Sequence, residues 1–333
     1  MRYHAAPMNG RRIGLLGLGP WGRNHMRVLS ELGVLAGVYD PDPHSLAVAP
    51  LELRARSCAA LLEDPSIQAV AIATPACTHF ELAQQALLSG KDVLVEKPLT
   101  LREDEGLRLH QLAHERNLIL MVGHITVYHP AIVALREAIR DGLLGSIRYV
   151  YANRLNLGVI REEEDILWSF APHDIAVFLE LLGEWPQTVA AHGGSYLRQG
   201  RADVTTTHMT FAGETRGHIF VSWLHPLKEH RLVVIGDLGM VVFEDRTDGA
   251  TLLRYPPHPN VRGMPKETPV PMPFEMAEPL REEWLHFLEC IRSREEPRTG
   301  SLHGLKVLRI LETARQSLTL GGAPLPCPLP DLP

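Results

Sequence analysis

The sequence predicts an α/β protein of two domains, with a parallel sheet first and a mostly antiparallel sheet second. Over residues 1–124, short apolar segments alternate with segments of helical spacing, which is typical of a parallel sheet with helices on both faces. Beyond residue 124, strand-like segments follow one another across short turns such as residues 236–239, which indicates an antiparallel meander. A chain of 333 residues also exceeds what one core usually holds. We therefore predict domains over residues 1–124 and 125–333.

Apolar runs and helical periodicity assign the individual elements. The predicted strands of the first domain are Arg12–Leu16, Leu35–Tyr39, Gln68–Ala73, Val93–Val95 and Leu118–Val122. Its clearest helices are Phe80–Leu88 and Glu103–Arg116. The second domain is predicted to contain helix Pro130–Arg140, strand Ile147–Tyr151, helix Pro172–Leu182, strands Val204–Phe211, His218–Trp223, Arg231–Ile235 and Met240–Phe243, and helices Arg281–Arg292 and Leu302–Leu318. Ligands of parallel sheets bind beyond the carboxyl ends of the strands, so the segments that follow these strands are the candidate site.

A glycine-rich loop follows the first predicted strand. It has the GxGxxG pattern over Gly17–Gly22, with Pro20 and Trp21 between the second and third glycines, and a helical segment comes after it. One glycine permits the tight turn, the next lets the backbone approach a pyrophosphate, and the third allows close packing of helix on strand. The N-terminus of the helix then presents N–H groups to the phosphates. The loop predicts a dinucleotide site in a Rossmann domain, the alternative being a glycine-rich turn of another α/β domain.

The predicted second strand ends in an acidic residue, Asp40, at the distance from the loop where a carboxylate binds the adenosine ribose hydroxyls. Pro41, Asp42 and Pro43 follow it, and an arginine that could pair with a 2′-phosphate is missing from this stretch. We therefore predict NAD rather than NADP as the cofactor.

Glu96-Lys97-Pro98 ends the apolar run Val93–Val95, at the carboxyl end of a predicted buried strand. Burial lowers the pKa of an ammonium group, and the neighbouring carboxylate of Glu96 can hold the lysine in place. Pro98 has no N–H and ends the strand, so it fixes the direction of Lys97. We predict a functional lysine, the alternative being a structural ion pair between Glu96 and Lys97.

Composition excludes several classes of protein. The net charge of −6, without a basic cluster, argues against a nucleic-acid partner. No apolar stretch reaches the length of a membrane span, and residues 1–10 lack the apolar core of a signal peptide, so we expect a loose N-terminal extension and a cytoplasmic protein. Four cysteines without metal-type spacing fit reduced thiols, and we predict no metal site.

The joint order of these motifs resembles the Gfo/Idh/MocA dehydrogenase family. The resemblance rests on the Gly17–Gly22 loop, Asp40, Thr74-Pro75 with His79, the Glu96-Lys97-Pro98 turn and Ala171–Asp174, and it extends from about Arg12 to Leu318. It implies an N-terminal Rossmann domain that binds NAD(H) or NADP(H). It also implies a C-terminal α+β domain with a large, mostly antiparallel open sheet, which often forms the oligomer interface. A homodimer or homotetramer is therefore expected.

The resemblance assigns catalytic roles to two residues. In the family the lysine of Glu-Lys-Pro contacts the reacting hydroxyl, and a downstream histidine is the acid/base; these roles map onto Lys97 and His173. A histidine with an unperturbed pKa of about 6.5 suits this proton transfer. For His173 the alternative is a polar residue at a helix N-terminus.

Further residues are predicted to bind cofactor or substrate. The predicted cofactor contacts are Gly17, Gly19, Pro20, Trp21, Gly22, Asp40, Thr74, Pro75, His79, Glu96 and Lys97. The predicted substrate contacts are His124, Tyr128, Arg154, Asn156, Arg161, Ser169 and His173. Structural roles are the alternative for His79, His124 and Tyr128. A guanidinium pairs well with a diphosphate, which favours Arg154 and Arg161, although both can also be surface residues.

One position departs from the family pattern. Many members have an aspartate four residues before the histidine, where this chain has Ser169. A serine exchanges hydrogen bonds but is not a base near neutral pH. Either His173 takes the proton alone or the hydroxyl is handled differently, and a non-catalytic NAD(H)-binding sensor stays open.

The substrate expectation comes from the resemblance alone. The segments Arg154–Gly158 and Leu167–Asp174 look most like members in bacterial nucleotide-sugar and polysaccharide pathways, such as those of lipopolysaccharide or lipid A. They imply oxidation of UDP-N-acetylglucosamine at C3, with the 3-keto product passing to an aminotransferase. A UDP-sugar uronate, a free sugar and a cyclitol are the alternatives.

Overall fold

The structure is a computed structural model that describes residues 12–157, 164–247, 249–260 and 266–330. The expected N-terminal extension and Arg161 lie outside these residues. The chain divides into two compact units, of which the first comprises the described residues up to Ile125 together with Glu278–Leu308. The second comprises the described residues of Thr126–Ala277 and of Arg309–Pro330.

The first unit is built on a five-stranded parallel sheet, as predicted. Its strands are β1 (Ile13–Leu16), β2 (Leu35–Tyr39), β3 (Ala69–Ile72), β4 (Asp92–Glu96) and β5 (Leu120–Gly123), in the order β2-β1-β3-β4-β5. Every residue of β1, β3, β4 and β5 is buried, since helices cover both faces of such a sheet. The candidate segments therefore follow neighbouring strands at one edge.

Helices connect these strands. They are α1 (Pro20–Glu31), α2 (Pro43–Leu46), α3 (Cys58–Glu63), α4 (His79–Leu88) and α5 (Glu103–Glu115). In α1 the buried residues Gly22, His25, Val28 and Leu29 share one face, as helical periodicity requires. Acidic residues fill the first turn of α5, where they complement the helix dipole.

The second unit contains a nine-stranded sheet in the order β13-β12-β11-β10-β6-β9-β8-β7-β14. Its strands are β6 (Ile147–Leu155), β7 (Thr188–Gly194), β8 (Val204–Thr210), β9 (Arg216–Ser222), β10 (Glu229–Gly236), β11 (Gly239–Arg246), β12 (Gly249–Tyr255), β13 (Val270–Pro271) and β14 (Leu325–Pro326). The pairing of β6 with β9 is parallel, and the other pairs are antiparallel. The predicted α+β domain with a large, mostly antiparallel sheet is thus confirmed.

Helices α6 (Pro130–Arg140) and α7 (Ile166–Leu182) belong to the second unit. Helix α7 packs against β6, β8 and β9, whose inward residues are buried. The sequence predicts that this helix begins at Pro172, but it begins six residues earlier, and Asp165 caps it by accepting a hydrogen bond from the N–H of Trp168. We expected Pro172 in the first turn of the helix, but it lies in the helix interior.

Two C-terminal helices, α8 (Pro279–Ser293) and α9 (Ser301–Thr319), complete the fold. Our sequence-based division places both in the second domain, whereas α8 and the beginning of α9 belong to the first unit. Specific contacts explain this difference. The indole of Trp284 bonds to His25 at 3.1 Å, and the hydroxyl of Thr299 donates to the carbonyl of Val122 at 2.8 Å. The first unit is therefore discontinuous in sequence.

Candidate active site

The glycine loop joins β1 to α1 with the geometry that a pyrophosphate site requires. Gly17 has a φ of +95°, and a Cβ there would lie 2.6 Å from the carbonyl oxygen of Ala73. A Cβ on Gly22 would collide with the carbonyl of Gly17. At Gly19, by contrast, a Cβ would meet no atom within 4 Å, and this residue leaves the first turn of α1 without a side-chain cap. The loop thus combines open space with uncapped N–H groups, which fits a bound diphosphate.

Asp40 lies directly after β2 and is tied to this loop. One carboxylate oxygen accepts the N–H of Leu18 at 2.6 Å, and the other accepts the N–H of Asp42 at 2.9 Å. Each carboxylate oxygen can accept a further hydrogen bond, which the ribose hydroxyls of NAD can supply. The carboxylate of Asp42 beside it would repel a 2′-phosphate. The residues of the loop and of Asp40 thus fit NAD.

His79 connects the ends of β3 and β4. Its Nδ1 lies 2.7 Å from the carbonyl oxygen of Pro98, and its Nε2 lies 3.0 Å from that of Thr74. The side chain is buried, and burial lowers its pKa against the opposing effect of the two carbonyls. His79 therefore fixes the Thr74-Pro75 and Lys97-Pro98 turns relative to each other. This position favours a structural role over the predicted cofactor contact.

Glu96, the last residue of β4, is a buried carboxylate with several donors. It accepts hydrogen bonds from the indole of Trp21 and, at 2.8 Å, from Nε2 of His25, and the backbone N–H of Lys97 lies 3.2 Å away. Burial acts to raise the pKa of Glu96, but the contacts with His25 and Trp21 outweigh it and lower the pKa below its ordinary value. Glu96 thus stays ionised beside Lys97.

The protonation of His25 follows from its partners. Nδ1 of His25 faces the indole nitrogen of Trp284 at 3.1 Å, and an indole N–H can only donate. Nδ1 is therefore the acceptor, and Nε2 carries the proton that is donated to Glu96. A directed chain of hydrogen bonds runs from Trp284 through His25 to Glu96, within the first unit.

Lys97 is half-buried at the carboxyl end of β4, and its peptide bond to Pro98 is cis. Its charge interacts with Glu96, His79 and His124. The structure therefore brings the end of β4 together with the glycine loop and the ends of β3 and β5, as predicted from the strand order.

A pair of histidines lies near Lys97. His124 follows β5, its ring centroid is 5.4 Å from that of His303 in α9, and neither of its nitrogens has a hydrogen-bond partner among the described residues. Burial lowers the pKa of His124 well below the ordinary value, and His303 and Lys97 lower it further. His124 is thus a neutral imidazole whose nitrogens can accept or donate a hydrogen bond at the carboxyl edge of the sheet.

In the second unit, α7 carries His173 and Ser169, which are one helical turn apart and share a face of the helix. His173 is half-buried and Ser169 is buried. The next residue, Asp174, forms a bidentate ion pair with Arg154 of β6, with N–O distances of 2.8 and 2.9 Å. This ion pair ties α7 to the sheet beside His173.

The remaining predicted substrate contacts have different positions. The side chain of Arg154 is 13% exposed and its guanidinium is paired with Asp174, so the geometry favours a structural role over the predicted diphosphate contact. Tyr128 is buried, which favours the structural alternative for this residue too. Asn156 is half-buried just after β6, and Arg161 lies outside the described residues.

Sequence reasoning missed four residues of the first-unit site: His25, Glu283, Trp284 and His303. His25 lies three residues after the last glycine of the loop, which was the only local signal. The other three lie in α8 and α9, far along the chain, and no pattern in those helices indicates a partner in the Rossmann sheet.

The parallel sheet, the glycine loop and the acidic residue after β2 together define an oxidoreductase domain that binds NAD. Comparison with family models identifies the group: residues 11–124 match the oxidoreductase family with an NAD-binding Rossmann fold, and residues 132–242 match the GFO/IDH/MocA C-terminal domain. The chain belongs to the Gfo/Idh/MocA family. The predictions of family, fold class and cofactor are confirmed.

Several named relatives are dehydrogenases of sugars or cyclitols. The chain is 37% identical over 215 residues to a UDP-N-acetylglucosamine 3-dehydrogenase from Acidithiobacillus ferrooxidans, a match that covers 63% of this chain and 66% of the relative. A solved structure of an enzyme of that name from the same organism has a TM-score of 0.82 and 29% identity, over 93% of this chain and 98% of its own. A scyllo-inositol 2-dehydrogenase from Bacillus subtilis is 28% identical over 71% of each chain. The first sequence match thus spans just under two thirds of its relative.

No helix among the described residues is long and apolar enough to cross a membrane. They also contain no group of three or more His, Cys, Asp or Glu side chains arranged to hold a metal ion.

Proposed function

We propose that the protein is an NAD-dependent dehydrogenase that oxidises a secondary alcohol of a nucleotide-linked amino sugar, with UDP-N-acetylglucosamine oxidised at C3 as the specific substrate. The reaction class rests on the position of Lys97 beside an NAD-type glycine loop. Glu96, which is hydrogen-bonded to Trp21 and His25, and the contact of His79 with Pro98 hold the turn that carries Lys97. The similarity to a UDP-N-acetylglucosamine 3-dehydrogenase supports the substrate.

In this mechanism NAD⁺, which the Gly17–Gly22 loop and Asp40 would hold, would supply the acceptor for the hydride of the carbinol carbon. Lys97 donates a hydrogen bond to the reacting oxygen and stabilises the negative charge that develops there. His173 accepts the proton of the hydroxyl as general base. Ser169, at the position where many relatives have an aspartate, contributes a hydrogen bond and no base. His173 is therefore the sole proton acceptor in this proposal.

A cyclitol substrate is disfavoured by Ser169, because the inositol dehydrogenases of the family resemble the aspartate-bearing pattern. A uronate substrate requires a cation for its carboxylate, and Arg154 already has its carboxylate partner in Asp174. An acetamido sugar needs no such cation.

The test is direct. Enzyme and NAD are incubated separately with UDP-N-acetylglucosamine, UDP-glucuronate and myo-inositol, and NADH formation is followed with an aminotransferase present to remove a 3-keto sugar. NADH from UDP-N-acetylglucosamine is the expected result, together with a C3 ketone identified by mass spectrometry after borodeuteride reduction in a parallel reaction without the aminotransferase. NADH from inositol alone refutes the nucleotide-sugar substrate.

Matched variants test the residue roles. Lys97→Met is compared with Lys306→Met, a half-buried lysine of the same unit, and His173→Asn with His225→Asn in the second unit. We expect Lys97→Met and His173→Asn each to lower kcat by about 10²-fold or more with NAD binding retained, while the controls keep wild-type rates.

The same experiment separates the enzyme from a non-catalytic NAD(H) sensor, which Ser169 leaves open. A sensor binds NAD(H) and turns over none of the sugars, and Lys97→Met and His173→Asn change only its affinity or stability.

We further propose that the protein is a cytoplasmic homodimer or homotetramer that associates through the sheet of the second unit. Tyr149, Tyr151 and His218 form an aromatic group on the face opposite α7, and they are only half-buried. Sedimentation of the wild type and of Tyr151→Lys tests this: the variant is expected to be smaller.

A further inference from the structure

We infer that Glu283 is a positioning residue of the Glu96-Lys97 turn: a buried carboxylic acid that keeps its proton while Glu96 stays ionised. The inference rests on the proposed role of Lys97 at the reacting oxygen. It concerns a residue of α8, outside the parallel sheet and its loops.

The geometry of Glu283 is unusual for a surface helix. The side chain has no exposed surface, and neither carboxyl oxygen has a hydrogen-bond partner among the described residues. Buried polar groups are nearly always hydrogen-bonded, so such a group requires an explanation. Its neighbour Trp284 starts the hydrogen-bond chain that ends at Glu96. Helix α8 thus provides the first donor of this network and, one residue earlier, a buried carboxyl group.

Two buried carboxyl groups that interact cannot both ionise at little cost, so one of them retains a proton. Glu96 has the donors, from Trp21, His25 and the N–H of Lys97. Glu283 has none among the described residues. Burial and the charge of Glu96 both raise the pKa of Glu283 well above its ordinary value. The proton therefore resides on Glu283.

Titratable groups of three elements act on this pair. Glu96 of β4 acts on Glu283, while His25 of α1 and Lys97 of the turn act on Glu96. With Glu283 neutral, a single negative charge lies beside the ammonium of Lys97. Loss of the proton from Glu283 to solvent at high pH would add a second negative charge, which repels the carboxylate of Glu96. The turn that carries Lys97 then loses its fixed arrangement, and activity falls.

The test is Glu283→Gln, which keeps the shape and neutrality of the protonated acid. The matched control is Glu282→Gln, the preceding and partly exposed residue of α8. We expect Glu283→Gln to bind NAD normally and to retain turnover near neutral pH. Its alkaline loss of kcat should move upward by about one pH unit or more, while Glu282→Gln follows the wild type. Infrared difference spectra should show a protonated-carboxyl band in the wild type at neutral pH that is absent from Glu283→Gln.

Thermal unfolding provides a readout that needs no turnover. The pKa of a glutamic acid in the unfolded chain is about 4.3. If the pKa is higher in the folded protein, the unfolded state gives up its proton first, and the folded protein loses stability as the pH rises above that value. The wild type should therefore lose melting temperature relative to Glu283→Gln between acid and neutral pH. Glu283→Met, which is apolar and of similar size, should also fold, because a neutral group occupies this place.

The inference would be overturned by superimposed pH profiles of the wild type and Glu283→Gln, or by loss of NAD binding or turnover in Glu283→Gln at neutral pH. It would also be overturned if the protonated-carboxyl band is absent from the wild type, or if neither Glu283→Gln nor Glu283→Met folds. The proposed function fails separately, by the absence of sugar oxidation in a wild type that still shows the carboxyl band.

Discussion

Replacing Arg154 by methionine tests how much the buried ion pair of the second unit contributes to its stability. The guanidinium and the carboxylate of Asp174 are 13% and 9% exposed, and they form two hydrogen bonds. The substitution removes the cation and leaves a carboxylate buried without its partner. Breaking a buried pair in this way costs about 3–5 kcal/mol. We expect a loss of that size in the free energy of unfolding of the second unit.

The chain provides a matched control on the same strand. Arg148 of β6 forms a bidentate pair with Asp237 at 2.7 and 2.9 Å, but both side chains are nearly half exposed. Exposed ion pairs contribute little, because solvent already stabilises both charges. Arg148→Met should therefore cost a small fraction of what Arg154→Met costs, although the two pairs have nearly equal distances.

Urea unfolding, with hydrogen exchange of the β6 and α7 amides to isolate the second unit, measures both losses. The double variant Arg154→Met, Asp174→Leu completes the cycle. Because it removes both charges, it should be less destabilised than the sum of the single variants. Equal losses for Arg154→Met and Arg148→Met, or an additive cycle, would refute the reasoning.

Three further predictions concern the first unit. Gly19→Ala should keep the melting temperature but weaken NAD binding at least about tenfold, because the added Cβ fills the open space at the loop. Gly22→Ala should lower both the melting temperature and the affinity for NAD, because its Cβ meets the backbone of Gly17. Unchanged NAD titrations of the two variants would contradict this prediction. Asp40→Ala should raise the Kd for NAD by about tenfold, and by less for NADP, in parallel fluorescence titrations. His124 is buried as a neutral imidazole, so the wild type should lose stability as the pH falls below the pKa of a histidine in the unfolded chain, about 6.5. In melting curves from pH 7.5 to 5, His124→Phe should show a smaller loss of melting temperature than the wild type. Parallel curves for the two proteins would disprove a buried neutral His124.

Four strands of the first unit, β1, β3, β4 and β5, could be predicted because each contains an apolar run that is buried on both faces, and such runs can be recognised without knowledge of their partners. The first residue of α7 was harder to predict from the sequence. Pro172 has the properties of a first-turn proline, but burial of the preceding apolar residues Ile166–Trp168 extends the helix in the N-terminal direction beyond it. Strand β7 was not predicted, since its small residues and exposed end give only a weak alternation.

At the site, sequence order predicted that the segments after β1, β3, β4 and β5 lie together, because parallel strands end at a common edge. What each side chain contacts there could not be predicted. Arg154 shows the reason. An arginine that binds a diphosphate and an arginine that binds an aspartate have the same chemistry, and the choice depends on Asp174, which only the packing of α7 on β6 places within reach.

The same limit applies more strongly to Lys97. Its tripeptide indicates function, but the arrangement around its charge also depends on residues of α8, which residues 126–277 of the second unit separate from it in sequence. Trp284 must be packed against α1 before His25 has a donor, and His25 must have that donor before its proton points to Glu96. The discontinuity of the first unit is therefore part of the site: the chain segment that returns after residue 277 supplies the donor and the neutral acid that allow Glu96 to remain ionised in a buried position.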